Sequence, residues 1–185
     1  MGHGGDVVDE LTTDHREVEE FFERFHQAPH GSHDRKRLLD QVTVELVRHS
    51  VAEEQHLYPA VREHLPLGGK TADKELAEHA QVEQMLKDLE GMEPADPAFD
   101  SSVRALQREV TAHIHDEEST LFVLLRRTFS EDMLGELGEK VRTAKKVAPT
   151  RPHPSTPSTP PANKLIDPGV GLVDRARDLL TGRGR

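Results

Sequence analysis

No cysteine occurs among the 185 residues. Disulfides, thiolate metal sites and cysteine nucleophiles are therefore excluded together. No apolar run approaches the roughly 18 residues that a membrane span needs, and the N-terminus lacks a signal-peptide core. A soluble, cytoplasmic protein with no membrane role is the expectation. Positive charge is also short, since 24 Lys and Arg face 34 Asp and Glu for a net charge of −10. So acidic a surface disfavours a nucleic-acid partner. Strand signals are missing throughout, and the length suits one domain with a real core.

What the chain has is histidine, 12 residues of it, set in helical periodicity. Val8, Leu11, His15, Val18, Phe22 and Phe25 recur at steps of three and four, so a first helix carries a histidine in its apolar stripe. The segment Gln27–Asp34, with Pro29 and Gly31, closes it. A second stripe runs Leu39, Val42, Leu46, His49, Glu53, His56 and Ala60 in a helix ending around His64. Pro59 is expected to bend its last turns by removing one backbone donor. A third helix begins near Thr71–Asp73, shows Leu76, His79, Glu83, Leu86 and Leu89 or Glu90 on one side, and stops at Gly91 and Pro94. The fourth spans about Phe99 to Phe129, with Val103, Leu106, Val110, His113, Glu117, Leu121 and Leu124 in line. Ser130 caps a fifth, whose stripe is Leu134, Leu137, Val141 and Ala144.

This pattern predicts an all-α fold: an antiparallel up-down-up-down four-helix bundle plus a fifth C-terminal helix and a flexible tail. Residues 1–147 make the domain. Residues 148–185 make the tail, with Pro149–Pro161 as an extended, solvated linker and a short helix near 168–181. From Arg142 onward, nine Lys and Arg meet three Asp and Glu, against fifteen and thirty-one before it. A basic tail on an acidic domain either serves a protein partner or folds back on its own domain.

In such a bundle His15, His49 with Glu53, His79, and His113 with Glu117 converge at one depth, each near the middle of its helix. A buried carboxylate without partners is costly, so both glutamates need cations beside them. Composition alone gives about 1.3 chance His-x-x-x-Glu pairs. Four occur, at His15/Glu19, His49/Glu53, His79/Glu83 and His113/Glu117. Placement separates them: every histidine falls in its stripe, but Glu19 does not. One inward histidine is ordinarily a satisfied core residue. Four with two inward carboxylates have no comparably cheap apolar explanation, and a metal centre accounts for them. Imidazole and carboxylate without sulfur suit iron, manganese or zinc. The set suffices for two ions if each glutamate bridges both and solvent fills the gap, which leaves positions open for a small ligand. Ferritin-like bundles instead use Glu-x-x-His and a carboxylate-dominated site.

The pattern His15, His49-x-x-x-Glu53, His79, His113-x-x-x-Glu117 resembles that of hemerythrin-like, or HHE cation-binding, proteins. Asp14-His15, Ala52-Glu53-Glu54 with Leu57-Tyr58-Pro59, Glu78-His79, and Asp116-Glu117-Glu118 with Leu121-Phe122 agree with it over about Val7–Arg127. The resemblance implies a non-haem di-iron centre of two iron ions, bridged by Glu53 and Glu117, with the histidines as terminal ligands. It also implies a role among oxygen binding, oxygen, iron or redox sensing, nitric oxide responses and peroxide breakdown.

One departure stands out. Oxygen-carrying hemerythrins have two histidines four apart on the third helix, whereas Glu75 and Glu83 flank His79 here. Glu83, His56 and Tyr58 are the candidate replacements, and a Tyr58 phenolate would stabilise ferric iron. The plainer readings are Glu83 as an acceptor for an imidazole, His56 as a rim residue and Tyr58 as an interior hydrogen-bonder. His115, Glu54 and Glu118 lie off the stripes, on a solvated face or just behind the ligands. An oxygen-rich set argues for redox turnover of peroxide over oxygen carriage. The competing class is a non-catalytic oxygen or iron sensor or store that reports through its basic tail, and a structural zinc bundle is the plainest alternative.

Overall fold

The computed structural model describes residues 4–155 and 162–181, with side chains over 4–155 and 169–179. Four antiparallel rods form the bundle. The first is α1 (Val7–Gln27), opened by a capping box in which Asp6 accepts from the Val8 and Asp9 amides. The second is α2 (His33–Ala52), a π turn at Glu53–Leu57, and α3 (Tyr58–His64). The third is α4 (Gly68–Glu90). The fourth is α5 (Phe99–Asp116), a π turn at Glu117–Leu121, and α6 (Phe122–Thr128). Next comes α7 (Glu131–Val147), capped by the Ser130 hydroxyl accepting from the Met133 amide at 3.2 Å, and it lies along α1 and α2. The last element is α8 (Ala162–Thr181).

Each π turn inserts one residue and rotates the helix beyond it, so the inward stripe slips by one position. Beyond Glu53 the buried residues are Leu57, Tyr58 and Val61 rather than His56 and Ala60. Beyond Glu117 they are Leu121, Phe122 and Leu125, while Leu124 is 36% exposed. Pro59 is not the general cause, because the second π turn has Val123 at the matching place. Both turns begin at a buried glutamate, and that is what they share.

The apolar core is divided in two. One cluster joins Val7 and Leu11 to Leu57, Val61, Leu121, Leu125 and the inner face of α7. The other joins Val18, Phe22, Leu39, Val42, Leu86, Val103 and Leu106 at the far end. Between them lies a polar layer of imidazoles and carboxylates. On α4 the inward face is Ala72, Glu75, His79, Val82, Leu86 and Leu89, so Leu76 and Glu83 sit at its edge. Among the described residues no helix is long and apolar enough to cross a membrane.

The chain after α7 departs from a solvated linker, although residues 156–161 lie outside the described ones. Ala148, Thr150 and Pro152 are buried. The Thr150 and Arg151 amides donate to Asp174 on α8 at 3.2 and 3.1 Å. The Arg151 guanidinium reaches Asp178 on α8 and Glu90 on α4, and the His153 amide donates to Glu83 at 2.8 Å. Gly171 permits this packing, since a Cβ there would meet the Val147 carbonyl oxygen at 2.3 Å. Basic strap and acidic bundle thus pair directly. The outer face of α8 leaves Leu172, Val173 and Leu179 exposed.

Candidate metal centre

The six residues singled out by the sequence meet in the polar layer. His15 comes from α1, His49 and Glu53 from the second rod, His79 from α4, and His113 and Glu117 from the fourth rod. His15, His49 and His79 are buried, His113 is nearly so, and both glutamates are wholly enclosed. Ring centroids pair His15 with His49 at 5.0 Å and His79 with His113 at 5.0 Å. The carboxylates cross these pairs. Glu53 Oε2 lies 3.1 Å from His49 Nε2 and 3.4 Å from His79 Nε2. Glu117 Oε2 lies 3.4 Å from His15 Nε2 and 3.5 Å from His113 Nε2. Each glutamate therefore touches one imidazole of either pair.

The outer nitrogens explain why the inner ones face the centre. His15 Nδ1 meets Glu118 at 2.8 Å, His49 Nδ1 meets Asp14 at 3.2 Å, His79 Nδ1 meets Glu54 at 3.1 Å and His113 Nδ1 meets Glu78 at 3.0 Å. Every rod supplies the carboxylate that orients the next rod's histidine, and the fourth closes the circle on the first. A carboxylate on Nδ1 fixes the tautomer and presents the Nε2 lone pair inward. Lys145 holds Asp14, Lys74 holds Glu78 and Arg16 holds Glu118. Among the described residues Glu54 has no such cation.

Two further groups complete the layer. Tyr58 points its hydroxyl to within 3.0 Å of His79 Nε2, 3.2 Å of Glu53 and 3.3 Å of Glu117. Glu75 is 2% exposed and lies 3.2 Å from His113 Nδ1. Glu83 and His56 stay outside: Glu83 receives the His153 amide, and His56 is half-buried beyond the start of the π turn. His115 is exposed. Glu54 and Glu118 stand behind the imidazoles.

Glu75 escaped sequence reasoning, and a repeat would have found its significance. Moving every position by sixty-four turns Asp14, His15, His49, Glu53 and Glu54 into Glu78, His79, His113, Glu117 and Glu118, and turns one π segment into the other. The halves differ where Leu11 matches Glu75 and Phe122 matches Tyr58. Phe122 stacks on the His15 ring, 2° from parallel. One side of the layer is thus apolar at its edge and the other carries two oxygen donors.

Buried with no aligned hydrogen bond are His15 Nε2, His49 Nε2, His113 Nε2, Glu53 Oε1, Glu75 Oε2 and Glu117 Oε2. Of these, the Nε2 atoms and the Glu53 and Glu117 oxygens converge on the centre of the layer, and Glu75 Oε2 lies behind His113; so many orphaned ligand atoms are costly unless an ion engages them. Single ligand atoms of His49, Glu53, His113 and Glu117 lie within 4.8 Å of one another, as cation binding requires. The residues present fit a metal ion.

Without an ion, His49 and His79 pair as imidazolium ions with the carboxylates around them. Burial alone would lower the His49 and His79 pKa values. Carboxylates outweigh it, Glu53 and Asp14 holding His49 well above its usual range and Glu53 and Glu54 holding His79 at about 10. Burial would raise Glu53, yet His49 and His79 hold it well below the usual carboxylate range. The raised histidines contribute stability that is complete below their unfolded value of 6.5 and is lost as pH rises, through about 10 for His79. The depressed Glu53 contributes above 4.5 and loses that contribution as pH falls. Melting temperatures of metal-stripped protein should therefore decline steadily from pH 7 to 10, and a flat profile would contradict these pairings.

The family profile described as the hemerythrin HHE cation binding domain matches residues 6–125. An uncharacterized hemerythrin-like protein of Schizosaccharomyces pombe is 29% identical over 176 residues, covering 94% of this chain and 86% of that protein. A Nostoc protein named DNA nickase is 29% identical over 143 residues, which are 75% of this chain and 39% of that longer protein. The crystal structure of an HHE cation-binding domain-containing protein from Mycobacterium kansasii shares the fold, with a TM-score of 0.67 and 24% identity over 76% of this chain and 85% of that one. With the helical bundle, the convergent histidines and glutamates and the matched profile in agreement, the chain belongs to the hemerythrin HHE cation-binding family.

Proposed function

We propose that the polar layer is a non-haem di-iron centre that processes small oxidants, with peroxide or other redox chemistry favoured over oxygen transport. The carrying observation is the crossed arrangement in which Glu53 and Glu117 each face one imidazole of either ring pair. In it His15 with His49 would hold one ion, His79 with His113 would hold the other, and Glu53 and Glu117 would serve both. Bound iron would supply electron transfer to and from oxygen, peroxide or nitric oxide. The chain's own residues do the rest. The circle of outer carboxylates fixes the imidazoles, and the flanking apolar clusters exclude bulk water. Glu75 backs His113 from its outer nitrogen, and Tyr58 adds a hard oxygen donor on one side, which would favour the higher oxidation state of iron. That preference suits turnover better than reversible oxygen release.

Metal analysis and an electronic spectrum of freshly purified protein, followed by peroxide addition, test this reading. Iron, near-ultraviolet absorption of an oxo-bridged ferric pair and gas evolution are expected. A colourless zinc protein inert to peroxide would overturn it. The non-catalytic sensor reading draws support from the strap, whose His153 amide is bonded to Glu83 one turn from His79; iron with no peroxide turnover would favour it.

A further inference from the structure

We infer that small molecules reach the centre through the seam between α2 and α4, by a throat at Ser50 and Val82, and that the seam between α5 and α1 is closed. The inference rests on the layer being a reactive centre, as proposed above. Beneath the four imidazoles lies a cavity of about 20 Å³ with apolar walls that include Val18, Leu46, Val82, Val110 and Ile114. A space of this size admits one molecule of the dimensions of water or dioxygen. A cleft of about 30 Å³ opens on the surface between α2 and α4, with Val47, Val51 and Leu86 on its walls and Glu54 and Glu83 among its polar groups. Cavity and cleft share four residues: Leu46, Ser50, His79 and Val82. The shared residues are the throat.

The repeat supplies the reason for one opening rather than two. The α1/α2 and α4/α5 seams are closely packed, whereas the α2/α4 and α5/α1 seams are loose. Across the sixty-four-residue offset the loose seams have matching walls, with Val82 answering Val18 and Leu46 answering Val110. Outside the throat Val47, Val51 and Leu86 correspond to Thr111, His115 and Phe22, and in the throat the largest change is Ser50, half-buried in the first seam, to Ile114, a buried isoleucine in the second. The isoleucine side chain fills what serine leaves open. The rim is acidic, since Glu54 lies there with Glu83 beside it, and among the described residues no cation holds Glu54 as one holds each of the other orienting carboxylates. An acidic mouth on an apolar throat repels anions and passes small neutral molecules. The C-terminal strap borders the same mouth, because its His153 amide is tied to Glu83.

Ser50→Ile copies the closed seam into the open one, Val82→Ala widens it, and Ser50→Ala keeps it clear. Two measurements apply to the full chain. In metal-free crystals under xenon pressure, the parent and Ser50→Ala are expected to show xenon in the cavity and Ser50→Ile to show none. In iron-loaded, reduced protein mixed with nitric oxide, Ser50→Ile should slow binding tenfold or more at unchanged iron content. Val82→Ala should speed it. Xenon occupancy and nitric oxide rates that ignore all three substitutions would overturn the route. Failure of the chain to load iron would overturn the functional reading and leave the xenon result to decide the route.

Discussion

Glu53→Ala protein is expected to lose its metal and to melt far below the parent. The carboxylate is completely enclosed, lies within 3.4 Å of two imidazole nitrogens on different rods, and accepts from the Tyr58 hydroxyl at 3.2 Å. Alanine removes the counter-charge of His49 and His79 together and leaves the phenol short of a partner. Breaking a buried ion pair from one side costs about 3–5 kcal/mol. Loss of the ion removes a further increment, because metal bound only to the native state stabilises it by mass action. Glu53→Gln keeps the volume and one acceptor, so it should fold better and bind metal no better. Metal analysis after dialysis, paired with thermal melts, checks both variants. Full metal content in either would refute the part assigned to Glu53.

Tyr58→Phe is expected to abolish the intense visible phenolate-to-iron band of the iron-loaded protein while the bundle stays folded. In the metal-free layer burial pushes the phenol well above its usual pKa, and Glu53 and Glu117 add to the effect. The proton therefore stays on until a cation replaces it. Beside ferric iron the Tyr58 phenolate would be a hard anionic donor, and a phenolate-to-iron charge-transfer band would be expected. The structure itself argues that phenylalanine will fit, since Phe122 fills the matching place in the other half. Loss of the hydroxyl should cost about 1 kcal/mol in stability. Absorption of a reduced-and-reoxidised sample before and after substitution decides the matter. An intense visible band unchanged in Tyr58→Phe would remove the phenolate from the centre.

Helical periodicity was enough to place His15, His49, His79 and His113 in the right stripes, because an amphipathic helix writes its buried face directly into the sequence. It placed Leu121 correctly and misplaced His56 and Ala60 beyond Glu53 and Leu124 beyond Glu117. Apolar spacing alone does not announce a π turn: both share Glu-Glu-x-x-Leu, and Pro59 follows one where Val123 follows the other. On α4 a difference of one position hid Glu75 behind Leu76 and put Glu83 inward in its place. Both faces satisfied the spacing, and only packing against α3 and α5 chose between them. The strap was legible as charge and illegible as structure. Basic composition suggested attraction to an acidic body, but the bonds of Thr150, Arg151 and His153 depend on where α8 comes to rest. The circle of outer carboxylates lay in plain view as Asp14, Glu54, Glu78 and Glu118, each next to a residue of interest. Its meaning emerges only when each is seen to serve the neighbouring rod.

A pair of identical hairpins clasped about a twofold axis would be compelled to treat both of its ions alike. This chain carries both hairpins on one thread, and so it was free to alter one without the other. Tyrosine and glutamate on one flank, phenylalanine and leucine on the opposite flank, and a serine facing an isoleucine are the result. The two flanks of the polar layer are thereby chemically inequivalent, and any two ions held there would meet different neighbours.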